Sequence, residues 1–294
     1  MTKELQDLKK KLLQEELQRQ GKTSKTRLWA GLALLLILAA AAGGLWYRAT
    51  LDTRLEKVFQ QGVALRQAGD YQAAINAFSG LHSEHADFVR VPEALYQIGE
   101  IQDVYLGDYD GALLTYLLLE RDYPQAFQVA QARNQVAVLY KYRLGDCGEA
   151  VSVYQKVQEQ QGADWDALQY EVSDCYFRMN NFSQARIEFD ILLKKAPESA
   201  LAAESQYRIA VTYALEGLLP EAAGAYRAVM ERWSKSPYAI EARFGLATVL
   251  EEQEELLEAQ KILEGLKGVY PNPDVLERKA KQVQERIDKK QKAI

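Results

Sequence analysis

A short motif returns every 35–38 residues along most of this chain. Its clearest copies pair Gly with Asp, or Asn with Asn, and begin at Gly69, Gly107, Gly145 and Asn180. An alanine follows in each copy and continues past the last clear one, giving the series Ala74, Ala112, Ala150, Ala185, Ala222 and Ala259. A fixed period of this length indicates a stack of similar supersecondary units. The sequence therefore predicts an all-α fold built from about six helical hairpins.

Each unit contains the parts of two helices joined by a turn. Glycine permits the reversal of the chain, and Asp or Asn is a preferred cap for the helix that follows. The alanine leaves room where the two helices cross, and a second small residue precedes it by 12 or 13 positions: Gly62, Gly99, Ala137, Ser173, Ala210 and Ala247. Several second helices are predicted to stop at a proline: Pro124, Pro197, Pro237 and Pro271.

Over about residues 52–271 these features resemble the tetratricopeptide repeat family. The spacing, and segments such as residues 92–99, are most similar to bacterial envelope members of that family. Those members include the outer-membrane assembly lipoproteins, the Tol-Pal-associated periplasmic protein and the translocon-ancillary protein. The resemblance implies a right-handed α-solenoid whose first helices line a concave groove. The fifth and sixth turns depart from the motif, which affects the repeat boundaries.

The end of the array is predicted to be closed by a helix with one polar face, because the last apolar surface would otherwise be wet. Residues 272–294 fit this role. Their apolar stripe consists of Leu276, Ala280, Val283 and Ile287, and a basic tail follows it.

Residues 28–47 contain no charged side chain. A helix of this length spans about 30 Å, which matches the hydrocarbon core of a bilayer. Trp29 lies at one end, and Trp46 and Tyr47 lie at the other, as in interfacial aromatic belts. We expect an uncleaved transmembrane signal-anchor; the alternative is a cleaved signal peptide, which usually has a shorter apolar core.

Residues 1–27 form a basic amphipathic segment that we expect to be a cytoplasmic tail. Basic residues near the span favour this orientation, with the repeat domain in the periplasm and the span in a bacterial inner membrane. Within the span, Ala39 with Gly43 and Ala40 with Gly44 form pairs of small residues that would let two helices approach. A homodimer or a larger assembly is therefore one alternative for the oligomeric state.

The charge of the chain excludes nucleic acid as an expected partner. Residues 1–27 carry eight basic and four acidic side chains, and residues 28–47 carry none. Since the net charge of the whole chain is −5, residues 48–294 carry −9. An acidic body repels phosphate backbones.

The resemblance places one residue of each first helix at matching groove positions. They are Phe59, Tyr96, Asn134, Tyr170, Tyr207 and Phe244, with Glu100 and Asp174 among the neighbouring acidic residues. Aromatic side chains dominate interface energetics, so this set predicts a surface for peptide or helical segments of other proteins, basic ones included. In the alternative interpretation the rings pack between neighbouring helices, and the acidic residues form a solvated face.

The remaining chemistry-bearing residues are few. Cys147 and Cys175 are predicted to lie at the same end of the stack, either as a disulfide or as two buried thiols. His82 and His85 are expected in a solvated turn between repeats. No catalytic residue, metal site or cofactor is predicted, and we expect no enzymatic activity.

The leading functional hypothesis is a membrane-anchored scaffold that organises envelope proteins. One alternative is a chaperone-like accessory to protein export or outer-membrane biogenesis. Another is a structural subunit of a pilus or secretion machine. A third reverses the topology and places the array in the cytoplasm.

Overall fold

A computed structural model describes residues 3–159 and 164–292; the side chains of residues 20–28 are not described. The chain divides into two compact units between Ala94 and Leu95. The described part is all-α and contains no strand. The predicted fold class is therefore confirmed, with helices packed in sequence-adjacent pairs as in a tetratricopeptide solenoid.

Helices of the first unit form its single hairpin. Helix α1 (Lys3–Gln67) packs against α2 (Tyr71–Glu84). Helix α3 (Val91–Glu100) begins at the end of this unit.

Paired helices and one terminal helix make up the second unit. Their bounds are α4 (Tyr109–Asp122), α5 (Gln128–Val138), α6 (Cys147–Gln158), α7 (Trp165–Arg178), α8 (Phe182–Lys195), α9 (Ala202–Leu215), α10 (Leu219–Arg232), α11 (Pro237–Glu252), α12 (Leu256–Gly265) and α13 (Pro273–Lys292).

Helix α1 joins the apolar stretch to the first repeat without a break. Its candidate membrane span lies within Trp29–Gln67, where an 18-residue window has a mean hydropathy of 2.0 and none of it is buried. By length and composition this helix is able to cross a membrane, although a signal sequence near the N-terminus passes the same test. Past the apolar stretch, the same helix buries Leu55 and Phe59 against α2.

Aspartate and asparagine cap the second helices as predicted. The Asp108 carboxylate accepts a hydrogen bond from the Gly111 backbone N–H at 3.0 Å, and Asp146 accepts one from Glu149 at 3.0 Å. Asp70 and Asn181 make the same contact at 3.3 Å. Each cap satisfies a backbone donor that would otherwise have no partner at the start of the helix.

The fifth and sixth turns keep the backbone conformation of the others without the cap. Gly217 has φ of +73° and Glu254 has φ of +65°, close to the +66° of Gly107. Their following residues, Leu218 and Glu255, make no side-chain capping bond. The left-handed residue is therefore the common element of the turn, and the cap is an addition in the first four.

Two first helices end in a π-helical turn. Residues Ile101–Leu106 extend α3, and Leu139–Leu144 extend α5. These are the two repeats in which 13 residues, not 12, separate the small residue from the motif alanine. A π-turn takes up one additional residue in a helix. The longer spacing is thus accommodated inside the helix, and the turn itself keeps its geometry.

Large rings on second helices fill the space beside small residues on first helices. A Cβ on Gly62 would lie 2.6 Å from the Phe78 ring, and one on Gly99 would lie 2.5 Å from the Tyr116 ring. Phe78, Tyr116 and their equivalent Phe189 are fully buried. The small residues of the motif are therefore required by ring packing at the helix crossing.

Helix α13 closes the array, as predicted. Its stripe of Leu276, Val283 and Ile287 is buried. The Glu251 carboxylate at the end of α11 is 1% exposed and receives hydrogen bonds from Lys279, Gln282 and Arg286 of α13 at 2.8–3.1 Å. Apolar contact and paired charge together hold this last helix in place.

Candidate protein-binding surface

A row of half-buried tyrosines runs across the first helices of the last three repeats to the segment before α13. We call it the tyrosine ladder; it consists of Tyr170, Tyr207, Tyr238 and Tyr270 with the carboxylates Glu204 and Glu241. The Tyr207 ring lies 5.7 Å from the Tyr238 ring and 5.9 Å from the Tyr226 ring. Rings in this range make favourable tilted contacts. Two rings of the ladder, Tyr207 and Tyr238, are therefore in direct contact, and Tyr207 also packs on a buried ring of α10.

Glu204 on α9 forms the first polar node of the ladder. The Tyr170 hydroxyl donates to Glu204 Oε1 at 2.5 Å, and the negative charge of this carboxylate also acts on the Tyr238 hydroxyl. Arg208, one turn along α9, completes the group with an ion pair of 3.6 Å to Glu204. Burial, reinforced by Glu204, raises the pKa of Tyr170 and raises the pKa of Tyr238 to about 12. These hydroxyls therefore remain protonated donors at neutral pH.

Glu241 on α11 forms the second polar node. The Tyr270 hydroxyl donates to Glu241 Oε2 at 3.2 Å, and the Tyr270 ring stacks on Phe244 with centroids 4.7 Å apart. In the part of the chain that the structure describes, no Lys or Arg pairs with Glu241, in contrast to Glu204. Glu241 thus presents a half-buried carboxylate with acceptor capacity remaining.

The structure separates the predicted groove residues into two kinds. Tyr96, Tyr170, Tyr207 and Phe244 are half-buried, and Asn134 is exposed. Tyr96 packs on Tyr116 at 5.7 Å, and Tyr170 packs on Phe189 at 5.6 Å. These rings therefore pack against neighbouring helices, and the Tyr170 hydroxyl also reaches a carboxylate. Their role in binding a partner remains a prediction.

Phe59 does not have the exposed position that the sequence suggested. It is 1% exposed, its ring lies 5.4 Å from that of Phe78, and the Arg90 guanidinium covers it at 4.1 Å. Because packing in the first hairpin buries this ring, it is not accessible to a partner protein.

Asp174 is likewise not a groove carboxylate open to solvent. It is 5% exposed and pairs with the Lys141 ammonium at 2.8 Å and the Arg178 guanidinium at 2.8 Å. Lys141 itself has a fully buried side chain and also contacts Glu171 at 2.5 Å. Glu100, the other predicted carboxylate, is half-buried at the end of α3. Asp174, which was predicted to face a partner, therefore links repeats three and four through its ion pair with Lys141.

The two cysteines lie together, as their placement in the repeats predicted. Both are buried free thiols and belong to the same hydrophobic cluster. Burial raises the pKa of the Cys175 thiol to about 12. The thiols are thus unreactive while the fold is intact. The disulfide remains a prediction.

Sequence reasoning missed several members of these clusters. Tyr238 and Tyr270 lie outside the matching positions of the repeat, and only their aromatic character marked them. Lys141 was not singled out because a lone lysine usually indicates a solvated position. Its location in a π-turn, where the extra residue changes which side chains face inward, accounts for its burial.

Comparison with known proteins identifies the repeats. The family model described as tetratricopeptide repeat matches residues 59–127 and 170–237. The first match includes α2 to α4, and the second includes most of α7 and all of α8 to α10. No curated protein matches the chain.

Solved structures show the same fold. The chain is similar to the C-terminal part of a tetratricopeptide repeat-containing protein from Cytophaga hutchinsonii, with 14% identity over 76% of this chain and 87% of that one, and a TM-score of 0.60. YrrB, described as having an unusual peptide-binding site, is 16% identical over 70% and 98% of the two chains, with a TM-score of 0.49. The type IV pilus biogenesis factor PilW is 15% identical over 78% and 98%, with a TM-score of 0.48.

The turn motif, the ring packing at the helix crossings and the family match agree with one another. The repeats over residues 59–127 and 170–237 are tetratricopeptide repeats.

Proposed function

We propose that this protein is a membrane-anchored scaffold of the bacterial envelope that binds segments of other proteins through the tyrosine ladder. In this proposal α1 crosses the inner membrane once, residues 1–27 are cytoplasmic and the repeat array lies in the periplasm. The observation that carries the binding role is the ladder itself, a half-buried aromatic row with polar edges on consecutive first helices.

Anchoring is supported by the exposed apolar surface of α1. Leu35, Leu36 and Ile37 are 64–68% exposed. A contiguous apolar surface of this kind is unfavourable in water and marks a membrane or protein contact. The same helix continues from the apolar stretch into the first hairpin.

Recognition is supported by the chemistry of the ladder. Tyrosine offers a large contact area at a low cost in conformational entropy. Glu241 adds a carboxylate that a Lys or Arg of the partner would neutralise. The expected ligand is therefore an extended or helical protein segment with an apolar anchor and a nearby basic residue.

The proposal includes no catalysis. The ladder hydroxyls of Tyr170 and Tyr238 have raised pKa values, and that of Tyr170 already donates to a carboxylate, which makes them poor bases and nucleophiles. Within the described residues, no cluster of three His, Cys, Asp or Glu side chains is arranged to hold a metal.

A second candidate is the structural subunit of a larger membrane machine. Second helices and loops expose large apolar side chains in the second unit: Leu114 is 69% exposed, Leu257 is 71% exposed and Phe127 is 80% exposed. Side chains of this kind are suited to permanent subunit contacts.

The test reverses one ladder charge in the full-length protein and measures crosslinking to its partners in intact cells. Glu241→Lys should abolish the specific crosslinked products. The matched control Glu231→Lys reverses an exposed charge on the second helix α10 and should leave them unchanged. Equal losses in both variants, or none in either, would contradict binding through the ladder. Crosslinks that survive Glu241→Lys but disappear on substitution of Leu114 and Leu257 would favour the structural subunit.

A further inference from the structure

Immediately beyond the apolar stretch, the first unit contains an open cavity. It has a volume of about 580 Å³ and is formed by α1 and the loop that follows α2. Its lining residues are Arg48, Asp52, Thr53, Glu56, Lys57, Asp87, Phe88 and Val89. Arg48 is the first residue after the charge-free run, so the cavity begins where that run ends.

Helical spacing sets where the α1 side chains of the cavity lie. Arg48, Asp52 and Glu56 are four residues apart and follow one side of α1. Lys57 is nine residues from Arg48, about 14 Å along the axis and on the opposite side of the helix. Side chains on a helix lean towards its N-terminus. Those of α1 therefore lean back towards the apolar stretch.

Charges in the cavity are balanced and mostly unpaired. Glu56 is bound to Arg90 at 3.3 Å. Within the described residues, the other four charged groups, Arg48, Lys57, Asp52 and Asp87, make no ion pair or hydrogen bond. Two cations and two anions therefore remain for a ligand.

The loop adds an apolar contact at the mouth of this cavity. Val89 is 82% exposed, although its neighbour Phe88 is buried. An exposed valine beside unpaired charges, one helical turn from an apolar span, suits the boundary between lipid headgroups and acyl chains.

We propose that this cavity binds the headgroup of a zwitterionic phospholipid, with the phosphate against Lys57 and the amine against Asp52 and Asp87, while Arg48 lies at the end of the cavity nearest the apolar stretch. Val89 then rests on the upper part of the acyl chains. The inference depends on the membrane anchoring proposed above. The mixed charge of the cavity disfavours a purely anionic headgroup, which would leave Asp52 and Asp87 without partners.

Depth measurements in nanodiscs separate this inference from the anchoring itself. Single cysteines for spin labelling are placed at Val89, at Leu36 in the apolar stretch, and at Gln61. Gln61 is exposed on α1 about 20 Å beyond Arg48. Cys147 and Cys175 are buried and should not label. The label at Leu36 should be accessible to oxygen, the label at Gln61 to a water-soluble nickel chelate, and the label at Val89 should lie between them at headgroup depth.

Each outcome has a separate meaning. If Leu36 is in lipid while Val89 behaves like Gln61, the anchoring stands and the lipid site is wrong. If Leu36 is in water, the anchoring proposal is wrong, and the lipid site, which depends on it, is wrong as well.

Lipid retention tests the chemistry of the cavity. The full-length protein is purified in mild detergent from membranes of phosphatidylethanolamine and phosphatidylglycerol, and the co-purifying lipids are counted by mass spectrometry. Lys57→Gln should reduce the retained phosphatidylethanolamine by about tenfold, since it removes one hydrogen bond to a charged phosphate. Arg54→Gln removes an exposed charge that does not line the cavity, one turn nearer the span, and should have no effect.

If basic residues only attract the membrane surface in general, Arg54→Gln should lower the retained phosphatidylethanolamine at least as much as Lys57→Gln. That result would overturn the proposal. Retention that is unchanged in both variants would also overturn it, as would selective retention of phosphatidylglycerol.

Discussion

The ring of Tyr116 occupies the space that a side chain on Gly99 would need. Its Cε1 atom lies 2.5 Å from the position of a Cβ at residue 99, closer than two carbon atoms approach without displacement. Tyr116 is 1% exposed and has no free volume to move into. The pair shows why the repeat keeps a small residue on the first helix.

Gly99→Ala should therefore destabilise the protein, despite the better helix propensity of alanine. Overpacking of a filled core costs about 1–3 kcal/mol. Gly80→Ala is the control, because a Cβ at that helical position meets nothing within 4 Å; it should stabilise by about 0.5–1 kcal/mol. Urea unfolding of the full-length protein in detergent measures both. A neutral Gly99→Ala would show that the ring is free to move.

Lys141→Met should be strongly destabilising, because it removes the buried cation of this network and leaves the half-exposed Arg178 as the one remaining cation paired with Asp174 among the described residues. Removal of one partner from a buried ion pair costs about 3–5 kcal/mol. The double variant with Asp174→Asn should recover part of this loss in the same unfolding assay.

The exposed pair of Lys194 and Asp190 on α8 provides the comparison. Lys194→Met should change stability by less than about 1 kcal/mol. Similar effects at positions 141 and 194 would mean that burial of the Lys141 network contributes nothing.

Low pH should weaken the ion pairs of Asp174 that link repeats three and four. Burial disfavours the Asp174 carboxylate, but hydrogen bonds from Lys141 and Arg178 outweigh this effect and lower its pKa below the usual 3.8. A carboxyl whose pKa is lowered by folding contributes stability that is present above its unfolded pKa and is lost as the pH falls through its folded pKa.

The urea midpoint of the wild type should therefore fall more steeply below about pH 4 than that of Asp174→Asn. Identical acid slopes for the two proteins would contradict a role for this carboxylate.

The two thiols should resist alkylation while the protein is folded. Burial raises the pKa of Cys175 to about 12, and Cys147 is buried beside it. Native protein at pH 8 should gain no adduct by mass spectrometry, and denatured, reduced protein should gain two. Denaturation without reductant separates the thiols, which would be alkylated, from the predicted disulfide, which would not. Rapid native labelling would show that this end of the stack opens readily.

The repeat and its turns were accessible to sequence reasoning because they depend on local chemistry. A Gly-Asp pair encodes both the left-handed turn and the cap, so the first three turns could be placed from the sequence. The fifth and sixth turns depart from the motif because Leu218 and Glu255 replace the capping residue, yet Gly217 and Glu254 adopt the same positive φ. Because several residue types can adopt this backbone conformation, the sequence predicts these two turns less clearly than the capped ones.

The side-chain networks were harder to predict because they join residues about 30 positions apart. Tyr170 meets Glu204, and Lys141 meets Asp174, only after the helices of successive repeats have packed. Their residue types alone indicated solvated charges and buried rings. Asp174 was therefore assigned to an open groove, whereas the structure uses it inside the array.

In the proposed topology α1 crosses the membrane and leaves the repeat array outside the cytoplasm. Protease treatment of intact spheroplasts, with tags detected at both ends of the full-length protein, tests this topology. The array should be digested, and a fragment containing residues 1–47 should survive. Complete protection of the array until the membrane is lysed would contradict the exported topology, and release of the whole protein with the periplasmic fraction would contradict the anchor.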